Sequence, residues 1–319
     1  QHDPSEIVEF DESILAGTVA ESTVKQYRLH FGTYTMFAGT WERALQSSTL
    51  ARWRQTLYED GYTDSHGEQH PYTVNAINLR LAAVRSVMQA AAEQGYIPIA
   101  LADGFRSVRG LKLKASKDRV KRNARTPITP EQMRIMIDLP DTDTLMGAMH
   151  RALLETLAGT GLRISECVNL MQADITWGVN GDGAEGWQVS VLPKGAESPE
   201  LRPLSKQAKT AIDNWLSQRS ENGVESFYVF TGAIGRGGAK LTDTPLTRQA
   251  AWRIVKRYAE QAGVDNFKPH DLRRFVGTQL VKRGDIRTAQ KVLGHKSIET
   301  TARHYVMDET PLGVTDGLY

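Results

Sequence analysis

The chain has 319 residues, 40% of them hydrophobic, and a formal net charge of +2, so it has enough apolar material for two domains with packed cores. No apolar run approaches the length that crosses a bilayer, and residues 1–20 carry five acids but no Lys or Arg, unlike a secretory signal. The single cysteine, Cys167, excludes an internal disulfide, and no group of Cys and His has the spacing of a zinc site. We therefore expect a cytoplasmic globular protein that needs neither an oxidising compartment nor a metal.

The first part of the chain, residues 1–108, predicts a small helical domain. Apolar residues recur every three or four positions over residues 21–37, which is typical of an amphipathic helix, with Glu21 or Ser22 as its cap. Two further helices are predicted over residues 48–60 and 73–94, because Gly61 and Gly95 close these patterns.

A strongly basic segment follows this domain. Residues 106–125 carry nine Lys or Arg against one Asp, and such a local excess matters more for phosphate binding than the net charge of the chain. The segment lacks a clear period and leads to Pro127 and Pro130. We predict an interdomain linker over residues 109–126.

The remaining residues, 127–319, predict a second domain of helices with a small sheet. Thr129 as a cap, with Pro130 and Glu131 behind it, marks the start of a helix. The segment GAMHRALLETLAGTGLRISECVNL predicts helix with a break at glycine, and GWQVSVLPKGAESPELRPLS predicts two short strands joined by a polar turn. Further helices are predicted over residues 205–219, 247–261 and 270–283, followed by a helical region over 294–305. The expected fold is mainly α with a small β-sheet.

Four fragments of the second domain carry basic residues, histidines and a tyrosine in a fixed order. They are TGLRISECVNL with Arg163, LPKGAESPELRPL with Lys194, PHDLRRFVGTQL with His270 and Arg273, and LGHKSIETTARHYV with His295 and Tyr305. Taken singly, each residue has an ordinary structural explanation, such as an ion pair, a turn or a core position. Together they resemble the tyrosine recombinase family, also called phage-type integrases. The resemblance spans most of the second domain; in the first it is limited to the helical layout and the run SVRGLKLKA.

The resemblance implies DNA strand cutting and rejoining without metal, ATP or another cofactor. Arg163 and Arg273 are expected to hold the scissile phosphate, because a guanidinium stays protonated and its planar fork matches phosphate. Lys194 is expected to protonate the departing 5′ oxygen. Glu166 matches a family carboxylate that orients a neighbour, whereas Cys167 is expected to be a small buried residue.

Tyr305 is expected to be the nucleophile that forms a 3′-phosphotyrosine. Its phenol has an ordinary pKa near 10, so it needs a base and nearby positive charge. His270 and His295 are candidates for the base and for a phosphate donor, and the sequence does not separate these roles. In the commonest family pattern the tyrosine follows the LGH histidine by nine residues, but here His304 is ninth and Tyr305 tenth.

The resemblance also implies a C-shaped clamp of a helical core-binding domain and an α+β catalytic domain around double-stranded DNA with a specific site. Phosphate contacts are expected from the basic segment, with base reading by a helix of the first domain. The candidate contacts are Arg106, Arg109, Lys112, Lys114 and Lys117 from the basic segment, and Arg80 and Arg85 from the third helix.

The resemblance implies a homotetramer assembled on DNA, because recombination exchanges strands between two duplexes. It also implies a protein encoded by a prokaryote, phage, plasmid or transposon. Leu312, Val314 and Leu318 are possible anchors of a C-terminal tail on a neighbouring subunit, and a disordered tail is the alternative. Integration, excision, resolution and inversion stay open, as does a need for accessory proteins. A type IB topoisomerase and a non-catalytic DNA-binding regulator of the same fold are the alternatives from other classes.

Overall fold

The computed structural model describes residues 12–112, 127–179, 183–193, 196–235, 240–268, 270–283, 286–294 and 297–305, with the backbone alone described for residues 12, 13, 300 and 303–305. The chain divides into two compact units, Gln1–Ala124 and Arg125–Tyr319. It is mostly helical with small antiparallel sheets, so the expected fold class is confirmed. Among the helices described, none has the length and apolar content to span a membrane.

The described part of the first unit, residues 12–112, consists of one short 3₁₀-helix (Glu12–Leu15), five α-helices and one short hairpin. The helices are α1 (Glu21–Ala38), α2 (Trp41–Ala44), α3 (Ser47–Glu59), α4 (Val74–Glu93) and α5 (Ile99–Ser107). Strands β1 (Tyr62–Thr63) and β2 (Gln69–His70) pair antiparallel between α3 and α4. The three predicted helices are present, and Gly61 and Gly95 after α3 and α4 have positive φ as expected for helix ends.

Two details of the first unit differ from the sequence predictions. The cap of α1 is Ala20, whose methyl group cannot accept a hydrogen bond, so capping by Glu21 or Ser22 was wrong; Glu21 instead pairs with Lys25 at 2.7 Å. Helices α2 and α5 and the β1–β2 hairpin were not predicted. They are too short for a clear hydrophobic period, and their stability depends on packing.

The core of the first unit is a cluster of aromatic and aliphatic side chains. Tyr34 is fully buried and donates its hydroxyl to the Ala44 carbonyl at 2.8 Å. Its ring contacts those of Trp53 and Phe105, at 5.3 and 6.5 Å between centroids. Buried aromatic groups with satisfied polar atoms give such a unit much of its stability.

The second unit holds eight α-helices, one 3₁₀-helix (Gln172–Asp174) and five strands in its described parts. The helices are α6 (Pro130–Asp138), α7 (Leu145–Thr160), α8 (Ile164–Val168), α9 (Lys206–Glu221), α10 (Arg248–Gln261), α11 (Asp271–Lys282), α12 (Ile286–Leu293) and α13 (Ile298–Tyr305). The strands are β3 (Ile175–Val179), β4 (Glu185–Val191), β5 (Glu200–Pro203), β6 (Thr231–Ile234) and β7 (Lys240–Pro245).

Local capping chemistry determines where several of these helices begin. Thr129 caps α6, as the sequence predicted, and it forms a reciprocal capping box with Gln132 that the sequence analysis did not name. The side chains of Ser205 and Thr247 each accept a backbone N–H at 3.1 Å at the starts of α9 and α10. These helices therefore match the predicted ranges within two residues.

The sheets are more extensive than predicted. The expected pair of strands is β4 and β5, which run antiparallel, and β3 adds to the other edge of β4. Strands β6 and β7 form a second antiparallel pair. Neither β3 nor the β6–β7 pair was predicted, because Gly178 and Gly232 interrupt β3 and β6, and β7 (KLTDTP) is mostly polar. Helix α12 was also missed, and the helical region expected from residue 294 begins at Ile298.

Helix α7 is the centre of the second core. Ten of its residues are buried, among them Ala152, Leu153 and Leu157, and it packs against α6, α9, α10 and α11. Trp215 of α9 is fully buried and donates to the Val229 carbonyl at 2.7 Å. This core supports the segments that carry the predicted catalytic residues.

Candidate active site

Arg163 lies in the turn between α7 and α8. Gly161 ends α7 in the left-handed conformation, with φ of 66°, and Arg163 directly precedes the first residue of α8. Glu166 is held against it: one carboxylate oxygen lies 2.5 Å from Arg163 Nη1, and the other accepts the Arg163 backbone N–H at 2.9 Å. The Glu166 side chain is 7% exposed and that of Arg163 is 32% exposed. The carboxylate is therefore buried, and the guanidinium that it holds is partly open to solvent.

Arg273 lies in the first turn of α11 and is buried, with 4% of its surface exposed. Its Nη1 donates to the Gly161 carbonyl at 2.7 Å, and its Nη2 donates to the Leu293 carbonyl at the end of α12. Burying a guanidinium destabilises the fold unless its N–H groups are hydrogen-bonded, and these two bonds provide partners for it. Arg273 thereby joins the turn that leads to Arg163 to the segment that leads to His295.

His270 precedes the first residue of α11 and is exposed, unlike Arg273 three residues later. The sequence placed both on one helix face, and the structure puts both at the start of α11 but in different surroundings. Helix α13 packs against α11 and α12, with Thr301 fully buried, and Tyr305 is its last residue. Lys194 and His295 lie outside the described residues, as does the Tyr305 side chain.

Arg202 was not singled out from the sequence. It lies on β5, is 1% exposed in its side chain, and pairs in register with the buried Val189. Its Nη1 donates to the Val292 carbonyl at 2.5 Å and the Lys291 carbonyl at 3.2 Å. The signal that could have found it is the alternation of β5, which places Arg202 on the same face as the buried Leu204.

Burial and nearby carboxylates have opposite effects on the pKa of Arg202. Burial lowers the pKa of the Arg202 guanidinium, and the carboxylates of Glu200 and Glu166 oppose that shift.

Cys167 on α8 is fully buried, and desolvation together with Glu166 raises the pKa of its thiol. The expectation that Cys167 is a buried apolar residue is confirmed, since a thiol in these surroundings is a poor nucleophile.

Two glycines allow the close approach of these segments. A Cβ on Gly161 would lie 3.0 Å from Leu293 Cδ2 and 3.2 Å from Val276 Cγ1. A Cβ on Gly294 would overlap the Arg202 guanidinium, and its φ of 58° also disfavours a side chain. The glycine after α12 is therefore required by the buried arginine beside it.

The predicted DNA-contacting arginines on α4 are engaged within the first unit. Arg80 donates to the Ala76 carbonyl at 3.0 Å, and its guanidinium lies 4.1 Å from the centroid of the Tyr72 ring. Arg85 is half-buried and donates to the Val108 carbonyl, joining α4 to the end of α5. This bond gives Arg85 a structural use, and base reading by either arginine stays a prediction.

The predicted contacts in the basic segment are only partly described. Arg106 lies on α5, where it donates to Gln89 at 2.6 Å and lies 3.4 Å from Asp103. Arg109 and Lys112 are exposed, whereas Lys114 and Lys117 lie outside the described residues. Leu111 and Asn78 exchange hydrogen bonds of 2.8 and 3.0 Å. The first residues of the predicted linker are thus fastened to the helical unit.

Within the described residues, one group offers three possible metal ligands: Asp64, Glu68 and His70 of the β1–β2 hairpin. Asp64 accepts the backbone N–H groups of His66 and Glu68 at 2.9 Å, and it also contacts His70. These bonds account for the arrangement as a turn without a metal.

Known proteins are similar in sequence to more than half of this chain. Residues 127–310 match the model of the phage integrase family. The chain is 34% identical over 194 residues to the tyrosine recombinase XerD of Neisseria meningitidis serogroup B, covering 57% of this chain and 59% of that protein. It is also 34% identical over 180 residues to the tyrosine recombinase XerC of Herpetosiphon aurantiacus, covering 54% and 53%. The matches therefore span less than two thirds of these relatives.

Solved structures share the fold at lower identity. The XerH recombinase bound to a palindromic difH substrate superposes with a TM-score of 0.63 at 17% identity, covering 90% of this chain and 75% of that one. A lambda integrase dimer bound to a COC′ core site gives 0.60 at 15% identity, covering 96% and 98%. These similarities support the fold, and the sequence model spans more than half of the chain. The protein accordingly belongs to the phage integrase family of tyrosine recombinases, as the resemblance of its motifs predicted.

Proposed function

We propose that this protein is a site-specific DNA recombinase that cuts and rejoins strands through a 3′-phosphotyrosine at Tyr305. The observation that carries the proposal is the position of Arg273, which donates to the turn before Arg163 and to the end of α12 before His295. One buried side chain thus joins segments that are far apart in sequence and that carry the family's catalytic motifs.

The positive charges would act on the phosphate. A phosphodiester resists attack because its non-bridging oxygens are anionic, and fixed guanidinium groups lower the energy of the more strongly charged transition state. Arg163 is suited to direct contact, since its guanidinium is partly exposed while Glu166 fixes its orientation. Arg273 completes the phosphate site and keeps its framework rigid.

Tyr305 would attack the phosphorus with its phenolate oxygen, and the bond to the 5′ oxygen would break. His270 or His295 would accept the phenol proton, and Lys194 would give a proton to the departing 5′ oxygen. The phosphotyrosine preserves the energy of the phosphodiester, so a 5′ hydroxyl can attack it and reseal the strand without ATP. When a DNA strand of a second duplex supplies that hydroxyl, the two duplexes exchange strands, and the result is recombination.

The proposed partner is double-stranded DNA that contains a recombination site, bound by a homotetramer. The XerH and lambda integrase structures are bound to DNA, which supports this partner by family likeness. Exposed Arg109 and Lys112, followed in sequence by Lys114 and Lys117, would contact phosphates. Docking of the tail residues Leu312, Val314 and Leu318 on a neighbouring subunit belongs to the same proposal.

The test is to incubate the protein with DNA from its own genetic neighbourhood and to map covalent attachment. Wild type should give a 3′ adduct at one or a few sites, with a free 5′ hydroxyl, and peptide mapping should find the DNA on Tyr305. Tyr305→Phe should give no adduct, whereas Tyr319→Phe, the matched control at the next tyrosine in the chain, should react normally.

Three results would contradict the proposal. An adduct that persists in Tyr305→Phe would move the nucleophile to another residue. DNA binding without any adduct would favour the non-catalytic regulator. Relaxation of supercoiled DNA by a monomer, without a specific site, would favour a type IB topoisomerase activity.

A further inference from the structure

Arg202 is a buried charge whose role the proposed chemistry does not yet include. Its guanidinium contacts three groups: the Lys291 and Val292 carbonyls of α12 and, at 2.6 Å, the Glu200 carboxylate. The four last C=O groups of a helix lack partners within the helix. Arg202 donates to the carbonyls of residues 291 and 292, and Arg273 donates to that of Leu293. The Lys291 carbonyl also accepts the Gly294 backbone N–H at 3.1 Å, whereas Arg202 and Arg273 are the partners of the Val292 and Leu293 carbonyls.

Two arginines from different elements therefore cap the same helix end. Arg273 approaches from α11 and Arg202 from β5, and His295 follows two residues after Leu293 in the sequence. Gly294 lies against the Arg202 guanidinium so closely that a single Cβ would collide with it. The end of α12 is thus fixed from two sides, with little room for adjustment.

We infer that Arg202 is a positioning residue for strand cleavage, which fixes the end of α12 and so the segment that leads into His295. This inference rests on the proposed function. Arg202 does not contact the reacting groups itself; it acts through the carbonyls of residues 291 and 292. Its planar fork spans two carbonyls and one carboxylate, which the single ammonium of a lysine cannot do in the same geometry.

Arg219 is a matched control, because it is also a buried arginine that donates to backbone carbonyls but does not contact α12. It is 3% exposed and donates to the Tyr228 and Val229 carbonyls at 2.6 and 3.2 Å, at the end of α9. Arg202→Lys and Arg219→Lys each remove a buried fork from backbone carbonyls, so both should lower the melting temperature. A general loss of stability would affect cleavage equally in the two variants.

The first measurement is the single-turnover rate of adduct formation at saturating DNA, well below both melting temperatures. Arg202→Lys should be slower than wild type by roughly 10²-fold, because displacing a catalytic group by about 1 Å has that effect. Arg219→Lys should stay within about twofold. Equal rates in the two variants would overturn the inference.

A second DNA substrate shows whether Arg202 acts through the end of α12 or through protonation of the leaving group by Lys194. A 5′-bridging phosphorothiolate places sulfur at the scissile bond, and a thiolate departs without protonation. The defect of Arg202→Lys should persist with this DNA. If sulfur restored the wild-type rate, Arg202 would act through the β4–β5 connection and leaving-group protonation, and the inference would be wrong.

Two further measurements keep the inference testable if Arg202→Lys folds poorly. Gly294→Ala should disturb the same contact and slow cleavage, whereas Gly223→Ala, at φ of 72° with open space around its Cβ position, should not. Hydrogen exchange of peptides covering residues 291–297 should accelerate in Arg202→Lys and not in Arg219→Lys. Because exchange is read without DNA, unchanged exchange refutes the positioning role even if wild type forms no adduct, which would separately refute the proposed function.

Discussion

Replacing Arg273 by lysine tests whether the bridge between the Arg163 turn and the end of α12 supports catalysis. The guanidinium donates through two different nitrogens to the carbonyls of Gly161 and Leu293. A lysine ammonium keeps the positive charge but is a compact group, and it cannot reach both carbonyls as the fork does. Arg274, the next residue of α11, is exposed, so Arg274→Lys is the matched control.

The size of the effect follows from these bonds. A hydrogen bond to a charged group contributes about 1.5–3 kcal/mol, and lysine should keep one of the two bonds, so Arg273→Lys should lower the free energy of unfolding by about 2 kcal/mol. For a domain of this size that corresponds to a fall in melting temperature of about 4–8 °C. Loss of one charge-stabilising donor should lower the cleavage rate by about 10²- to 10³-fold.

The assay pairs thermal unfolding with single-turnover adduct formation at 25 °C, where each variant should stay folded. Arg274→Lys should match wild type in both measurements. A cleavage rate for Arg273→Lys within about threefold of Arg274→Lys would refute the reasoning, since the bridge would then contribute nothing to the transition state.

Three further predictions concern orientation, pH and salt. Glu166→Gln should slow adduct formation about tenfold with little loss of DNA binding, because Arg163 keeps its charge and loses the carboxylate that orients it; unchanged kinetics would contradict this. Burial and Arg257 lower the pKa of His150 to about 4, so the unfolded chain binds more protons between pH 6.5 and pH 4, and stability should fall by up to about 3 kcal/mol as pH falls through that range. Denaturant titrations should show this slope in wild type and a weaker one in His150→Phe. DNA affinity should fall steeply with salt, and Lys112→Gln should reduce the slope of log K against log[salt] by about 1; an unchanged slope would mean that Lys112 does not contact phosphate.

Local chemistry explains which parts of the fold the sequence could predict. The starts of α6, α9 and α10 follow from Thr129, Ser205 and Thr247, whose side chains accept hydrogen bonds within their own helices. The end of α7 follows from Gly161, which tolerates a positive φ. By contrast, α5, α12, β3 and the β6–β7 pair are short, and contacts with the rest of their unit decide whether such segments form.

The same division holds for the candidate site. The motifs around Arg163, His270 and Tyr305 were sufficient to identify the family and its expected chemistry, because residue type and order are properties of the sequence. The burial of Arg273 and the role of Arg202 were not accessible in that way. Arg273 meets a carbonyl 112 positions away, and Arg202 meets one 90 positions away. Such partners are brought together only when the core packs, and a guanidinium becomes a rigid support only once burial makes its hydrogen bonds obligatory.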